Sequence, residues 1–376
     1  MSTSSSSCRI PDELVLMVIK WCDSLVDKRG KTLAALCLLA KRFTAAAERF
    51  LYSDVVLETP LEAGTALSAL GQHPRLRKFV MTVDLYLDHD SLGDLKDGIV
   101  HVLCGMPNVQ HLVAGPAEPA TRLLLAHPDC RLRSVNWHPW DDDHARLLVD
   151  RPAAFTRLEH ADVKFEDGFS VGPPPVLPSM RSLSVSGGHG LPAFGLFTAP
   201  LVGQLTYLTI VVWSHPLESA NLSAWTRLER LEIYSWISYH RGQLERSIPS
   251  VVAILQSVPR TSVLATFDLH LVADEKGGVS GAETPFALPA ASNDLLLALP
   301  PCVRHLSLFT NAIRPLDLAT YLIGPLRPSS LRTLRLGHAL GRGFRTILDD
   351  ADGPHGALAG ELERAGIEIT TTAVDF

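Results

Sequence analysis

The sequence predicts an α/β chain: a short helical unit at the N-terminus, followed by stacked strand-then-helix repeats that build a parallel strand ladder. Three observations carry this. Apolar residues near the N-terminus surround a helix axis instead of striping it, a six-residue pattern recurs ten times from residue 76 onward, and helical patterns fill the intervals between its copies. At 376 residues the chain is long enough for two domains or one long array, and 46% hydrophobic residues with mean hydropathy +0.15 indicate a filled interior.

Met1 to Ser7 is a Ser/Thr tract with nothing to bury, so residues 1–9 are expected to form a disordered tail. A helix follows, because Pro11 suits a first helical position and Asp12 and Glu13 complement the N-terminal dipole. Leu14, Val15, Leu16, Met17, Val18, Ile19 and Trp21 then point all round its axis, and such a helix needs cover on every side. A unit of about 50 residues builds only a marginal core, so a second protein is expected to cover what it leaves open. These residues resemble the F-box, a short three-helix adaptor-binding motif. The likeness rests on Ile10-Pro11-Asp12-Glu13-Leu14, on Leu36 through Phe43 with its Lys41-Arg42-Phe43 ending, and on Ala47 with Phe50-Leu51-Tyr52. Departures are Ile at 10, Ala at 40 and a longer polar loop from Asp23 to Lys31. The resemblance covers residues 10–57 and implies that Ile10, Pro11, Leu14, Val18, Leu36, Leu39 and Phe43 dock on the Skp adaptor of an SCF-type cullin-RING ubiquitin ligase. The competing account makes the same helices a hydrophobic cap on the repeats.

Thr59 and Pro60 then mark the N-cap and first position of another helix, reaching about Leu70. Beyond it the hexad places an apolar residue, two mostly polar ones, an apolar one, a spacer and an apolar one. Copies start at residues 76, 109, 132, 158, 180, 205, 228, 264, 303 and 331. Composition alone gives about a tenth of hexads three such apolar positions, so order and identity carry the weight. Six of the nine intervals fall between 20 and 29 residues, and seven of the ten copies put Arg or Glu second. The alternating end of each copy reads as a strand buried on one face, and stacked units share a core that none builds alone. The segment 58–376 resembles a degenerate leucine-rich-repeat, ribonuclease-inhibitor-like solenoid, with its strand ladder on a concave face. Helices are expected over 92–104, 120–126, 144–149, 244–258 and 316–326, an extended break at Pro173-Pro174-Pro175, a mobile loop over 274–285, and one or two helices over 344–364 before a final edge strand or cap at Gly366 to Ile369.

Several motifs have plain readings. His138-Pro139-Trp140-Asp141-Asp142-Asp143-His144 reads as a strand-end turn and an Asp-rich helix cap before it reads as a metal cluster. Gly187 to Gly190 and Gly337 to Gly343 lack the Lys-Ser/Thr ending of a phosphate loop and read as turns. No nucleophile elbow occurs, so the chain reads as non-catalytic, without cofactor or metal. Net charge −6 and a pI near 6.2 argue against nucleic acid, and the longest apolar run is too short to span a membrane. Six scattered cysteines without a close pair suit reduced thiols in the cytoplasm or nucleus. The third, fifth and seventh places of each hexad face outward. Among them Tyr207, Tyr234, Phe309 and Arg335 are the expected contacts for a protein substrate, because desolvated Tyr and Arg supply binding energy. The whole reads as a substrate-recognition subunit of a ubiquitin ligase, or else a protein-interaction scaffold with no ligase role.

Overall fold

The computed structural model describes residues 17–19, 32–35, 41–85, 101–102, 105–114, 132–140, 155–165, 177–187, 198–212, 221–238, 241–259, 261–274, 289–310, 312–350, 353 and 356–372. Its strands are β1 (Asp54–Leu57), β2 (Thr82–Leu85), β3 (His111–Ala114), β4 (Ser134–Trp140), β5 (His160–Phe165), β6 (Ser182–Gly187), β7 (Tyr207–Val212), β8 (Arg230–Ser238), β9 (Thr266–Asp274), β10 (His305–Thr310), β11 (Thr333–Leu336) and β12 (Glu368–Thr371). Their order in the sheet is their order in the chain, β1 to β12. Pairing is parallel from β1 to β3 and from β5 to β12. The helices are α1 (Lys41–Leu51), α2 (Pro60–Gln72), α3 (Arg241–Ser257), α4 (Pro289–Leu297), α5 (Pro315–Ile323), α6 (His338–Asp349) and α7 (Leu358–Arg364).

Two compact units divide the chain. One holds residues 1–136 and 153–157, the other residues 137–152 and 158–376. In the first, residues 17–19 and 32–35 are helical, and Ile19 and Leu33 pack with Ala47 of α1 into a small core flanked by Phe50 and Leu51. Glu48 of α1 takes both arms of Arg75 at 2.6 and 2.9 Å. The Thr59 hydroxyl oxygen accepts from the Glu62 backbone N–H at 3.3 Å and its O–H donates to the Glu62 carboxylate at 2.9 Å, the reciprocal cap that starts α2.

The hexad explains the ladder almost copy by copy. In nine copies the strand begins at the third residue. In seven of them the second residue's carbonyl accepts two N–H groups from the next copy, as Glu229 does from Ala265 and Thr266 at 2.9 and 3.0 Å. That residue's side chain is left in solvent at Arg133, Arg181, Glu229, Arg304 and Arg332, which is why Arg or Glu suits the place. Fourth and sixth places line the core: Leu183, Val185, Leu208, Ile210, Leu231 and Ile233 are all fully buried.

The copy at Leu76 is the exception and a correction. Pro74–Phe79 forms a 3-10 helix, since Pro74 fixes φ at its start and the Arg77 side chain ties back to the Leu70 carbonyl at 2.9 Å. The strand follows at Thr82, so the copy in register starts at Val80, and Val80, Val83 and Leu85 are fully buried. The interval to the next copy becomes 29 residues, inside the leucine-rich-repeat period. The ladder also begins earlier than the repeats suggest: β1 lies within residues 10–57 and pairs with β2.

Helices α3 and α5 lie over the expected segments, and α3 buries Ile248, Val251, Ile254 and Leu255. The expected helices over 120–126 and 144–149, nearly all of 92–104, the triple-proline break and the 275–285 loop lie outside the described residues. The region 344–364 holds two helices, α6 and α7, with α6 starting already at His338. Gly341 and Gly343 are therefore helical, not a turn, and packing explains them. A Cβ on Gly341 would meet Thr371 Cγ2 at 2.7 Å, and one on Gly343 would meet Pro315 Cγ at 2.6 Å. Helix α7 ends on Gly366 at φ +67°, where the Gly366 and Ile367 N–H groups bond back to Glu363 and Leu362 at 2.9 Å and turn the chain into β12.

Candidate functional site

The outward face of β7 to β11 carries the most organised polar and aromatic chemistry among the described residues. In-register parallel pairing stacks equal hexad places side by side. Tyr207, Arg230, Thr266, His305 and Thr333 form one level, and Thr209, Glu232, Asp268, Ser307 and Arg335 the next. Val211, Tyr234, His270 and Phe309 form the third.

Arg230 holds the middle of this face. Its guanidinium pairs with Glu232 at 2.5 Å and Asp268 at 2.9 Å and lies 5.1 Å from the Tyr207 ring centre. The two carboxylates are only 5% and 6% exposed, whereas the Arg230 side chain remains 48% exposed and lids them. Thr209 donates to Glu232 at 3.2 Å. Burial pushes the Asp268 carboxyl above its ordinary range, opposed by the hydrogen bond with Ser307 and by Arg230. Burial also raises Tyr207, and its hydrogen bond to Glu232 adds to the shift.

Beside this network runs an aromatic row. The rings of Tyr234 and His270 stack at 4.2 Å and 17°, those of His270 and Phe309 at 4.3 Å and 10°. Arg335 completes the row with its guanidinium 5.3 Å from the Phe309 ring centre. Burial pushes Tyr234 up to about 12 and His270 down to about 4, so both are neutral near pH 7. The nearby Arg335 charge reinforces the shift on His270.

All four expected substrate contacts thus fall on one side of the sheet, Tyr234, Phe309 and Arg335 in a single row and Tyr207 under Arg230, but Phe309 is only 3% exposed, covered by the His270 ring and the Arg335 guanidinium, so it supports the row and does not itself meet a ligand. Sequence reasoning placed Arg230, Glu232 and His270 outward without singling them out, and passed over Asp268. Their signal is columnar: the seventh place of three successive copies reads Tyr234, His270, Phe309.

Of the expected adaptor contacts, Ile10, Pro11, Leu14, Leu36 and Leu39 lie outside the described residues, as does the side chain of Phe43 in α1. Val18 is 48% exposed beside Met17 at 62%, so apolar surface stays open next to the Ile19 core. Among the described residues no group of His, Cys, Asp and Glu could hold a metal ion; most of the His138 to His144 motif lies outside them. No described helix is long and apolar enough to cross a membrane. No protein-family model matches the chain, and no curated protein matches it in sequence.

Proposed function

We propose that this chain is a non-catalytic substrate-recognition subunit of an SCF-type cullin-RING ubiquitin ligase, its N-terminal helices docking a Skp adaptor and the outward face of β7 to β11 holding a protein target. One observation carries the recognition half: ordered rings and two solvent-facing guanidiniums gathered on five adjacent strands, over two buried carboxylates that share Arg230. A face left merely to water gains nothing from such ordering, whereas Tyr and Arg anchors are what protein interfaces use. The adaptor half rests on the resemblance within residues 10–57 and on the open Met17 and Val18 surface, which a partner would cover. Such a subunit needs no acid, base or nucleophile of its own, because holding a target near a charged enzyme raises its effective concentration.

The second reading is an interaction scaffold without a ligase role, favoured by the Glu48–Arg75 pair, which ties α1 to the 3-10 helix ahead of β2 as a cap would be tied. Co-purification with the Skp adaptor separates the two. Leu14→Asp is expected to abolish adaptor capture, since an interfacial carboxylate without a partner costs several kcal/mol. Undiminished capture by the folded variant removes the adaptor role and leaves the scaffold.

A further inference from the structure

We infer that the strand edge at the end of the ladder is an interface with a second copy of this chain, the two β12 strands pairing antiparallel about a two-fold axis through Thr370. In the sheet order β12 stands last, bonded to β11 on one side, and among the described residues nothing pairs with its other side. The register tells which of its backbone groups are free. The Glu368 N–H donates to the Arg332 carbonyl at 2.8 Å and the Thr372 N–H to the Leu336 carbonyl at 3.1 Å, so residues 368, 370 and 372 turn their backbone toward β11. Successive residues of a paired strand alternate in this respect. Ile369 and Thr371 therefore turn both N–H and C=O to the open side.

These groups fit those of their own copy. Pairing about Thr370 sets Ile369 opposite Thr371 of the second copy and Thr371 opposite its Ile369, and each such pair exchanges two hydrogen bonds, so every outward group on both strands is used. An axis through Ile369 instead would set Thr371 opposite Ile367, whose N–H is already given to the Leu362 carbonyl at 2.9 Å. Side chains agree with the Thr370 axis. Thr370 meets its own copy and Glu368 meets Thr372, so no like charges stand opposite one another. Ile369 holds the place taken in the preceding strands by Leu334, Leu306, Phe267 and Leu231, all at most 1% exposed, yet Ile369 itself is only half-buried and a strand on its open side completes its cover. Ile369, Thr370 and Thr371 are all β-branched, which suits a paired strand, and β12 has none of the Lys, Pro or bulge that guards an open edge. A two-fold of this kind keeps the outward faces of both ladders on the same side of one continuous sheet, so the pair presents two copies of the β7 to β11 face to a bivalent partner.

Sedimentation equilibrium of the full-length protein tests this. Four residues make a short edge and a reversible contact, so the wild type is expected to approach twice the chain mass of 40.9 kDa at about 100 μM, tenfold above a Kd of about 10 μM, and to return to the single-chain mass on dilution. Thr370 is exposed, so Thr370→Lys and Thr370→Glu leave the fold intact, as an unchanged melting temperature checks, while each sets like charges opposite one another across the axis. Either variant alone is expected to associate about fivefold more weakly or worse, and an equimolar mixture of the two to regain the wild-type mass. Thr371→Pro removes an outward N–H that β11 does not use and is expected to give single chains. A wild type that keeps the single-chain mass at every concentration overturns the inference. So does a mixture no more associated than its components, or a wild-type dimer that Thr370→Lys and Thr371→Pro leave unmoved, since that dimer uses another surface. Assemblies that keep growing beyond two chains mean head-to-tail stacking and overturn the two-fold.

Discussion

A single ring shows how burial sets chemistry on the ladder's outward face. His270 lies between Tyr234 and Phe309, and desolvation lowers it from 6.5 to about 4, with Glu232 pulling up and Arg335 pushing down. Between those two pH values the unfolded chain takes up a proton that the folded chain refuses. His270 therefore withdraws stability as pH falls from about 6.5 to about 4, and withdraws nothing more below that. Asp268 works in the opposite sense, because its raised carboxyl takes a proton more readily folded than unfolded. Comparison with His270→Phe isolates the ring while keeping the stack. Urea midpoints of the wild type are expected to fall more steeply than those of the variant over that window. Parallel curves would show that the imidazole is not held neutral. The placement of Tyr207, Tyr234 and Arg335 on one side of the ladder was legible in the sequence because the hexad fixes which places face outward; the burial of Phe309 was not, because it depends on the neighbouring His270 and Arg335 side chains. The carboxylates beneath them were not, because a buried Asp268 is understood only once Arg230 on the neighbouring strand is seen to reach it.

At the scale of elements, the hexad located strands well because period-two burial is local and most copies repeat the same hydrogen-bond entry. It slipped at Leu76, where apolar residues also fit a 3-10 turn and Pro74 decided between the two. It missed β1, whose Val55 and Leu57 are buried in the ladder directly after a helical run. Glycines in α6 were misread for a related reason: a turn and a close helix contact use the same residue, and only distance tells them apart. Two substitutions test that distance. Gly360 in α7 has nothing within 4 Å of the place a Cβ would occupy, so Gly360→Ala is expected to stabilise by about 1 kcal/mol through helix propensity alone. Gly343→Ala gains the same propensity but drives a methyl to 2.6 Å from the Pro315 ring, so its melting temperature is expected to fall. A rise at both positions would mean that α6 does not pack on the start of α5 as described.

At the scale of the molecule, the question is where the ladder stops needing the chain before it. In a stack each strand draws its stability from its neighbours, so removing an end piece costs the contacts across that one junction. The junction lies near residue 41. Upstream, the described core consists of Ile19 and Leu33 on Ala47. Downstream, Glu48 holds Arg75, and the Ser53 carbonyl accepts from Met81 and Thr82 at 2.8 and 3.0 Å. Two truncations at this boundary separate an adaptor arm from a cap. Removing residues 1–40 is expected to abolish adaptor capture while leaving the main thermal transition within a few degrees of the full chain. Removing residues 1–53 also strips the Ser53 acceptor and leaves Arg75 unpaired at the ladder's edge, and is expected to lower that transition further. If the shorter truncation already destabilises as much as the longer one, the first helices are sealing the core of the ladder, and the open surface at Met17 and Val18 has no adaptor to meet.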